Sequence, residues 1–170
     1  MLDMSGNRKS RITEIYARQA NTVWGVCYSY MQNPDDADDM VQETFVRLMS
    51  YSPSFDNEKQ ERAWMIITAS NLCKDTLKSK ERRCDSLDDH LELAVEEPIQ
   101  DSLTPLISKL NENYKTIVYL HYYVGYHVNE IAELLNISKA MVKTTLHRAR
   151  KKLKEMLEED NEKEKDHRGL

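Results

Sequence analysis

Apolar residues recur at helical spacing along most of this chain, in two stretches separated by a segment where the pattern lapses. From Ser10 to Met31, the positions Ile12, Ile15, Tyr16, Gln19, Val23, Cys27 and Tyr30 fall near one stripe, so one side of this first helix is expected to be core. "NPDD" then reads as a helix start. Asn33 can cap, Pro34 suits the first helical position, and Asp35 and Asp36 sit at the positive end of the dipole. The second helix is expected to reach Ser50, with Ala37, Val41, Phe45 and Leu48 favouring one face. "YSPSFDNEK" breaks the pattern as a loop. A third helix is expected from Gln60 to Arg83, with Ala63, Ile66, Ile67, Cys73 and Leu77 inward.

The lapse is the stretch 84–103, "CDSLDDHLELAVEEPIQDSL", whose scattered leucines, many carboxylates and Pro98 suit a flexible linker better than a packed element. Thr104 and Pro105 restart the helical pattern, and Leu106, Ile107 and Leu110 give a short apolar face. "NYKTIVYLHYYVGY" supplies the next helix, ending near Gly125. "EIAELLNISKAMVKTTLHRAR" has the pattern of a helix-turn-helix. Ile131, Ala132, Leu134 and Leu135 are expected on the apolar side of its first helix, with small Ala132 permitting a close crossing. Asn136 tolerates the left-handed backbone of a sharp turn, and Ser138 can cap the second helix. There Val142, Leu146, Ala149 and Leu153 follow i, i+4, i+7, i+11, a single buried stripe. The charged tail 158–170 is expected to be disordered. The fold class that follows is all-α: two small helical domains, 1–83 and 104–157, joined by an acidic linker.

Composition agrees, since four glycines and four prolines in 170 residues favour helices. Charge changes the picture more. The chain carries a net charge of −5, yet residues 1–83 are neutral, 84–104 hold seven acids and no bases, and 105–157 hold nine bases against four acids. Net acidity is therefore a poor guide to partners. No segment has the roughly 20 apolar residues of a membrane span, and "MLDMSGNRKSR" has no apolar signal core, so no membrane insertion and a cytoplasmic location are expected. Cys27, Cys73 and Cys84 lack metal-ligand or disulfide-framework spacing and read as buried or incidental thiols. No nucleophile–base pair stands out, so no enzyme activity, cofactor or metal is expected.

The buried stripe of the last helix leaves Lys139, Lys143, Thr144, His147, Arg150 and Lys151 outside the core, with Arg148 on a flank and Ser138 at the start. Such a helix suits a DNA major groove, its early residues near base edges and its later cations near phosphates. A solvated amphipathic helix is the bland alternative. On the second helix Asp36, Asp39, Glu43 and Arg47 share one face, which by its residues alone is a solvated surface. On the third, Trp64, Thr68, Asn71, Asp75, Lys78 and Arg82 fall on one side, a mixture able to hold unstacked bases and backbone, although Trp64 also suits a core.

Three segments in order resemble the bacterial sigma-70 family in its extracytoplasmic-function (ECF) group. "DADDMVQETFVRLM" is similar to the family's polymerase-docking segment, "ERAWMIITASNLCKDTLKSKERR" to its promoter-melting and −10 segment, and Leu110 to Leu153 to its −35-binding domain. The resemblance implies an alternative sigma factor that binds core RNA polymerase, directs it to a subset of promoters and answers to an anti-sigma factor. It points to Asp39, Gln42 and Glu43, with Asp36 and Arg47, as polymerase contacts. For −10 DNA it points to Phe55, Asn57 and Lys59 in the loop and to Trp64, Asn71, Lys78, Arg82 and Arg83 on the helix. For −35 DNA it points to Ser138, Lys139, Lys143, Thr144, His147, Arg148, Arg150 and Lys151. Ala140, Met141 and Thr145 depart from residues common in the family, at positions expected to border the groove. A free-standing helix-turn-helix regulator is the rival reading, and promoter-specific initiation by added core polymerase separates the two.

Overall fold

The computed structural model describes residues 4–84 and 104–169, so all of the expected linker except Cys84, which ends a helix, lies outside the described residues. Every regular element among the described residues is helical, and they form two compact units.

Unit 1 is built from α1 (Met4–Met31), α2 (Pro34–Tyr51) and α3 (Glu58–Cys84), each packed on the other two. Val23, Val26 and Cys27 of α1, Ala37 and Leu48 of α2, and Met65, Ile66, Ala69 and Cys73 of α3 are sealed from solvent, and this apolar burial drives the assembly. The expected cap at α2 is present: the Asp36 N–H donates to Asn33 Oδ1 at 3.0 Å, with Pro34 in the first turn. Three expectations differ. α1 starts at Met4, ahead of Ser10. Tyr16 is 52% exposed because it lies at the edge of the stripe, although its ring still touches Phe45 at 4.8 Å. Ile67 and Leu77 are only half-buried, whereas Met65 and Ala69 are core, because α3 faces two neighbours and its buried arc is wider than one stripe.

Polar groups also close this core. Glu61, on the buried side of the first turn of α3, accepts from Arg18 Nη2 at 2.9 Å and from Gln19 Nε2 at 2.9 Å, tying α3 to α1. Partnership with Glu61 raises the Arg18 guanidinium pKa above its already high value. Cys27 and Cys73 are free, buried thiols, and Cys27 is pushed well up by hydrogen bonding with Cys73 and by burial. Such thiols behave as small apolar groups.

Unit 2 comprises α4 (Thr104–Ser108), α5 (Glu112–Val118), α6 (Val128–Leu135) and α7 (Lys139–Arg168). α5 runs on into one wide π-helical turn, Tyr119–Val124. The Gly125 and Tyr126 amides both donate to the Leu120 carbonyl and close that turn, and Gly125 takes φ +84°, a left-handed value that glycine adopts at no steric cost. Tyr126 is buried beside Glu130; burial first and that carboxylate second push its phenol pKa up. Val142, Thr145, Leu146, Ala149 and Met156 are the buried face of α7, while Leu153 is half-buried.

Two further expectations are corrected here. Leu134 does not join the apolar side of α6: it is 42% exposed, and the short helix buries Ile131 and Ala132 instead. The tail is not disordered from residue 158, since α7 continues to Arg168 with exposed side chains. A run of helix-favouring Glu and Lys without Gly or Pro propagates from the packed part with no new nucleation cost, and a Lys154–Glu158 pair at 3.9 Å spans the junction.

Candidate functional site

The turn before α7 has the anticipated construction. Asn136 sits in the left-handed region (φ 53°, ψ 49°), and the Ile137 N–H reaches back to the Ala132 carbonyl at 3.0 Å, ending α6. Ser138 caps α7, its Oγ accepting from the Met141 N–H at 3.1 Å, which leaves its hydroxyl hydrogen for another acceptor. With Val142, Leu146 and Ala149 turned inward, Lys139, Lys143, Thr144, His147, Arg148, Arg150 and Lys151 are all exposed on the remaining arc. Ala140 and Met141 are exposed as well. Thr145 is 7% exposed and faces the core, so it does not border the groove surface where it was expected.

The −10 candidates separate into two groups. In the loop, Phe55 is half-buried and leans on Trp64, with ring centroids 6.0 Å apart and an interplanar angle of 59°. The Arg11 guanidinium stands 5.8 Å from the Phe55 centroid. Asn57 caps α3, its Oδ1 accepting from the Gln60 N–H at 2.9 Å, while Gln60 Oε1 accepts from the Asp56 N–H at 2.9 Å. The spacing of Asn57 and Gln60 is the sequence signal for this cap, which starts α3 at Glu58, ahead of the Gln60 start expected from the sequence. Lys59 is exposed.

On α3, Trp64, Thr68, Asn71 and Asp75 line an open hollow of about 270 Å³ together with Arg47 and Tyr51 of α2. The structure thus brings Arg47, expected at a polymerase contact, to the same place as Trp64 and Asn71. Tyr51 is 70% exposed and was not anticipated from the sequence. Its signal is an aromatic at the last position of α2, one turn after Arg47. Lys78, Arg82 and Arg83 are exposed further along α3.

On α2, Asp39 and Gln42 are exposed and Glu43 partly so. Glu43 holds Arg47 at 3.4 Å, one turn on. Asp36 is engaged by Lys80 of α3 at 2.6 Å, so it stands apart from the rest of that face. Another unanticipated feature adjoins it: Trp24 stacks on Tyr28 with centroids 5.0 Å apart and donates from Nε1 to Asp38 Oδ1 at 2.8 Å. Among the described residues, no three His, Cys, Asp or Glu side chains gather as a metal site requires, and no helix is long and apolar enough to cross a membrane. What these surfaces offer is polar and aromatic contact.

Comparison with known proteins matches this geometry in order. Residues 15–83 match the sigma-70 region 2 family model, and residues 100–153 match the sigma-70 region 4 model. The ECF RNA polymerase sigma factor SigM of Bacillus subtilis (strain 168) is 31% identical over 152 residues, the match covering 84% of this chain and 93% of SigM. SigW of the same organism is 27% identical over 165 residues, covering 86% of this chain and 87% of SigW. The fold is similar to that of the sigma factor RpoE solved with the anti-sigma factor NepR from Bartonella quintana, with a TM-score of 0.63 at 18% identity over 88% of this chain and 96% of RpoE. It is also similar to CnrH in complex with the cytosolic domain of CnrY, with a TM-score of 0.59 at 23% identity, over 89% and 90% of the two chains.

Proposed function

The chain belongs to the sigma-70 family, in its ECF group, and from that premise we propose which of its surfaces perform each part of promoter-specific initiation. It is an alternative sigma factor that binds core RNA polymerase and directs it to a subset of promoters. Unit 1 docks on the polymerase through Asp39, Gln42 and Glu43 of α2, with Arg47 linking that face to the hollow on α3. The polar side of α3 and the loop before it hold the melted −10 strand. Unit 2 reads duplex −35 DNA with α7, Lys139, Lys143 and Thr144 near base edges and Arg148, Arg150 and Lys151 near phosphates. The protein breaks no bond itself; it works in the cytoplasm, and a dedicated anti-sigma factor holds it in check, as the related complexes with NepR and CnrY suggest by analogy. A free-standing regulator is not favoured, because such a protein has no need of a unit 1 resembling sigma region 2.

The observation that carries the −10 assignment is the open side of α3. While Met65, Ile66 and Cys73 fill the core, Trp64, Thr68, Asn71 and Asp75 line an open hollow of about 270 Å³ that offers an aromatic face and an amide to an unstacked base, with Lys78 and Arg82 exposed beyond it to meet the backbone. Asn71→Ala combined with Lys78→Ala is expected to impair strand opening while leaving association with core polymerase intact. Permanganate footprinting of the holoenzyme on a promoter fragment checks this. Normal thymine reactivity in the double variant would remove these residues from the melted-strand site.

A further inference from the structure

A second hollow, of about 350 Å³, opens in unit 2 beside the exposed face of α7. Lys109, Leu110 and Tyr114 from the α4–α5 corner form one wall, and Arg148, Lys151 and Lys152 from α7 the other. Leu110 is buried and Tyr114 half-buried, so the floor is apolar and gives the long cationic stems something to lie along. The four cations are exposed, and among the described residues none has a carboxylate within ion-pair distance, although Glu155 stands on the rim. Nearby on the same helix Lys154 does have an acidic partner, Glu158, at 3.9 Å. Four like charges facing one concavity repel each other, and an anion with several charges relieves that repulsion.

We propose that this hollow clamps backbone phosphates of the promoter duplex beyond the groove that α7 reads, an inference that rests on the −35 reading of α7. The rise of about 1.5 Å per residue puts Lys152 about 13 Å further along the helix axis than Lys143. A B-form major groove is about 8.5 Å deep, so a helix entering by its N-terminal end has emerged by Lys152 to the level of the phosphates. Arg148, Lys151 and Lys152 there meet Lys109 from a different element, and two walls of cations straddle one strand. Lys109 and Lys152 are thereby added as sequence-independent contacts, and the α4–α5 corner becomes part of the DNA-binding surface.

The test is a salt titration of promoter-fragment binding by holoenzyme carrying the full chain, with intact and scrambled −35 sequences. Lys109→Ala with Lys152→Ala is expected to lower affinity by the same factor on both fragments and to reduce the slope of log affinity against log salt by about 1 to 2, near 0.9 for each phosphate no longer neutralised. Lys109→Arg with Lys152→Arg restores the parent slope, and Lys163→Ala with Lys165→Ala, further along α7, leaves it unchanged. An unchanged slope in the Lys109/Lys152 alanine variant, with the parent still discriminating the two fragments, overturns the clamp and leaves the −35 reading standing. If that unchanged slope comes with lost binding of a polyglutamate peptide by the variant, the hollow belongs to an acidic protein partner. A parent that does not discriminate between the fragments overturns the −35 reading itself and the clamp with it.

Discussion

Glu61 joins a charge to a core. The residue is 5% exposed, and its carboxylate receives the amide of Gln19, which is wholly buried, and the guanidinium of Arg18, whose side chain is 41% exposed. The Arg18 contact is open to solvent on its guanidinium side, which screens it and reduces its contribution. The Gln19 contact matters more, because without Glu61 a buried amide donor is left with no acceptor, at a cost of about 1–3 kcal/mol. Glu61→Ala is therefore expected to lower the urea midpoint of unit 1 with little change in slope, and Arg18→Ala to lower it much less. Trp24 and Trp64 are the two tryptophans of the chain and both lie in unit 1, so tryptophan fluorescence follows this unit. Equal midpoints for Glu61→Ala and the parent would show that the network holds nothing together. Residues of this kind are poorly legible in the sequence. Gln19 falls on the core stripe, but nothing in its spacing can name a partner some forty positions away.

Elements are legible where one periodic face meets one neighbour. Asn33, Pro34, Asn136, Ser138 and Gly125 act within a few residues of where they stand, so their roles as caps and turns follow from local chemistry. The stripe of α7 is equally plain, because its burial comes from the small unit it packs against. α3 is less so, since its arc is divided between α1 and α2, and the extension of α7 to Arg168 depends on propagation from a packed helix that composition does not report. The exposed arc of α7 carries its own expectation. Lys143→Ala is expected to change the preference among −35 sequences, because Lys143 lies early on the helix; Arg150→Ala, further on, is expected to weaken all sequences alike and flatten the salt dependence. Holoenzyme binding to a panel of single-base −35 variants separates the two. Identical profiles for Lys143→Ala and the parent would place base reading elsewhere.

At the scale of the whole molecule, an acidic chain concentrates positive charge in one unit and leaves a mixed, partly acidic face on the other. That division suits a protein that meets two partners at once, in the assignment proposed above a polymerase surface through unit 1 and duplex DNA through unit 2. The candidate −35 face is readable because a helix-turn-helix is a local motif. The hollow shared by Arg47, Tyr51, Trp64 and Asn71 is not, because two helices distant in sequence create it. The central claim is that the chain confers promoter choice on the polymerase. Run-off transcription by core polymerase with and without the purified chain, on a library of randomised −35 and −10 sequences, measures it directly. The expected result is transcript only when the chain is present, enriched for one combined −35 and −10 pattern, and sharply reduced when Asp39→Lys and Glu43→Lys reverse the docking face. Binding of the chain to DNA with no start site conferred on core polymerase would contradict it.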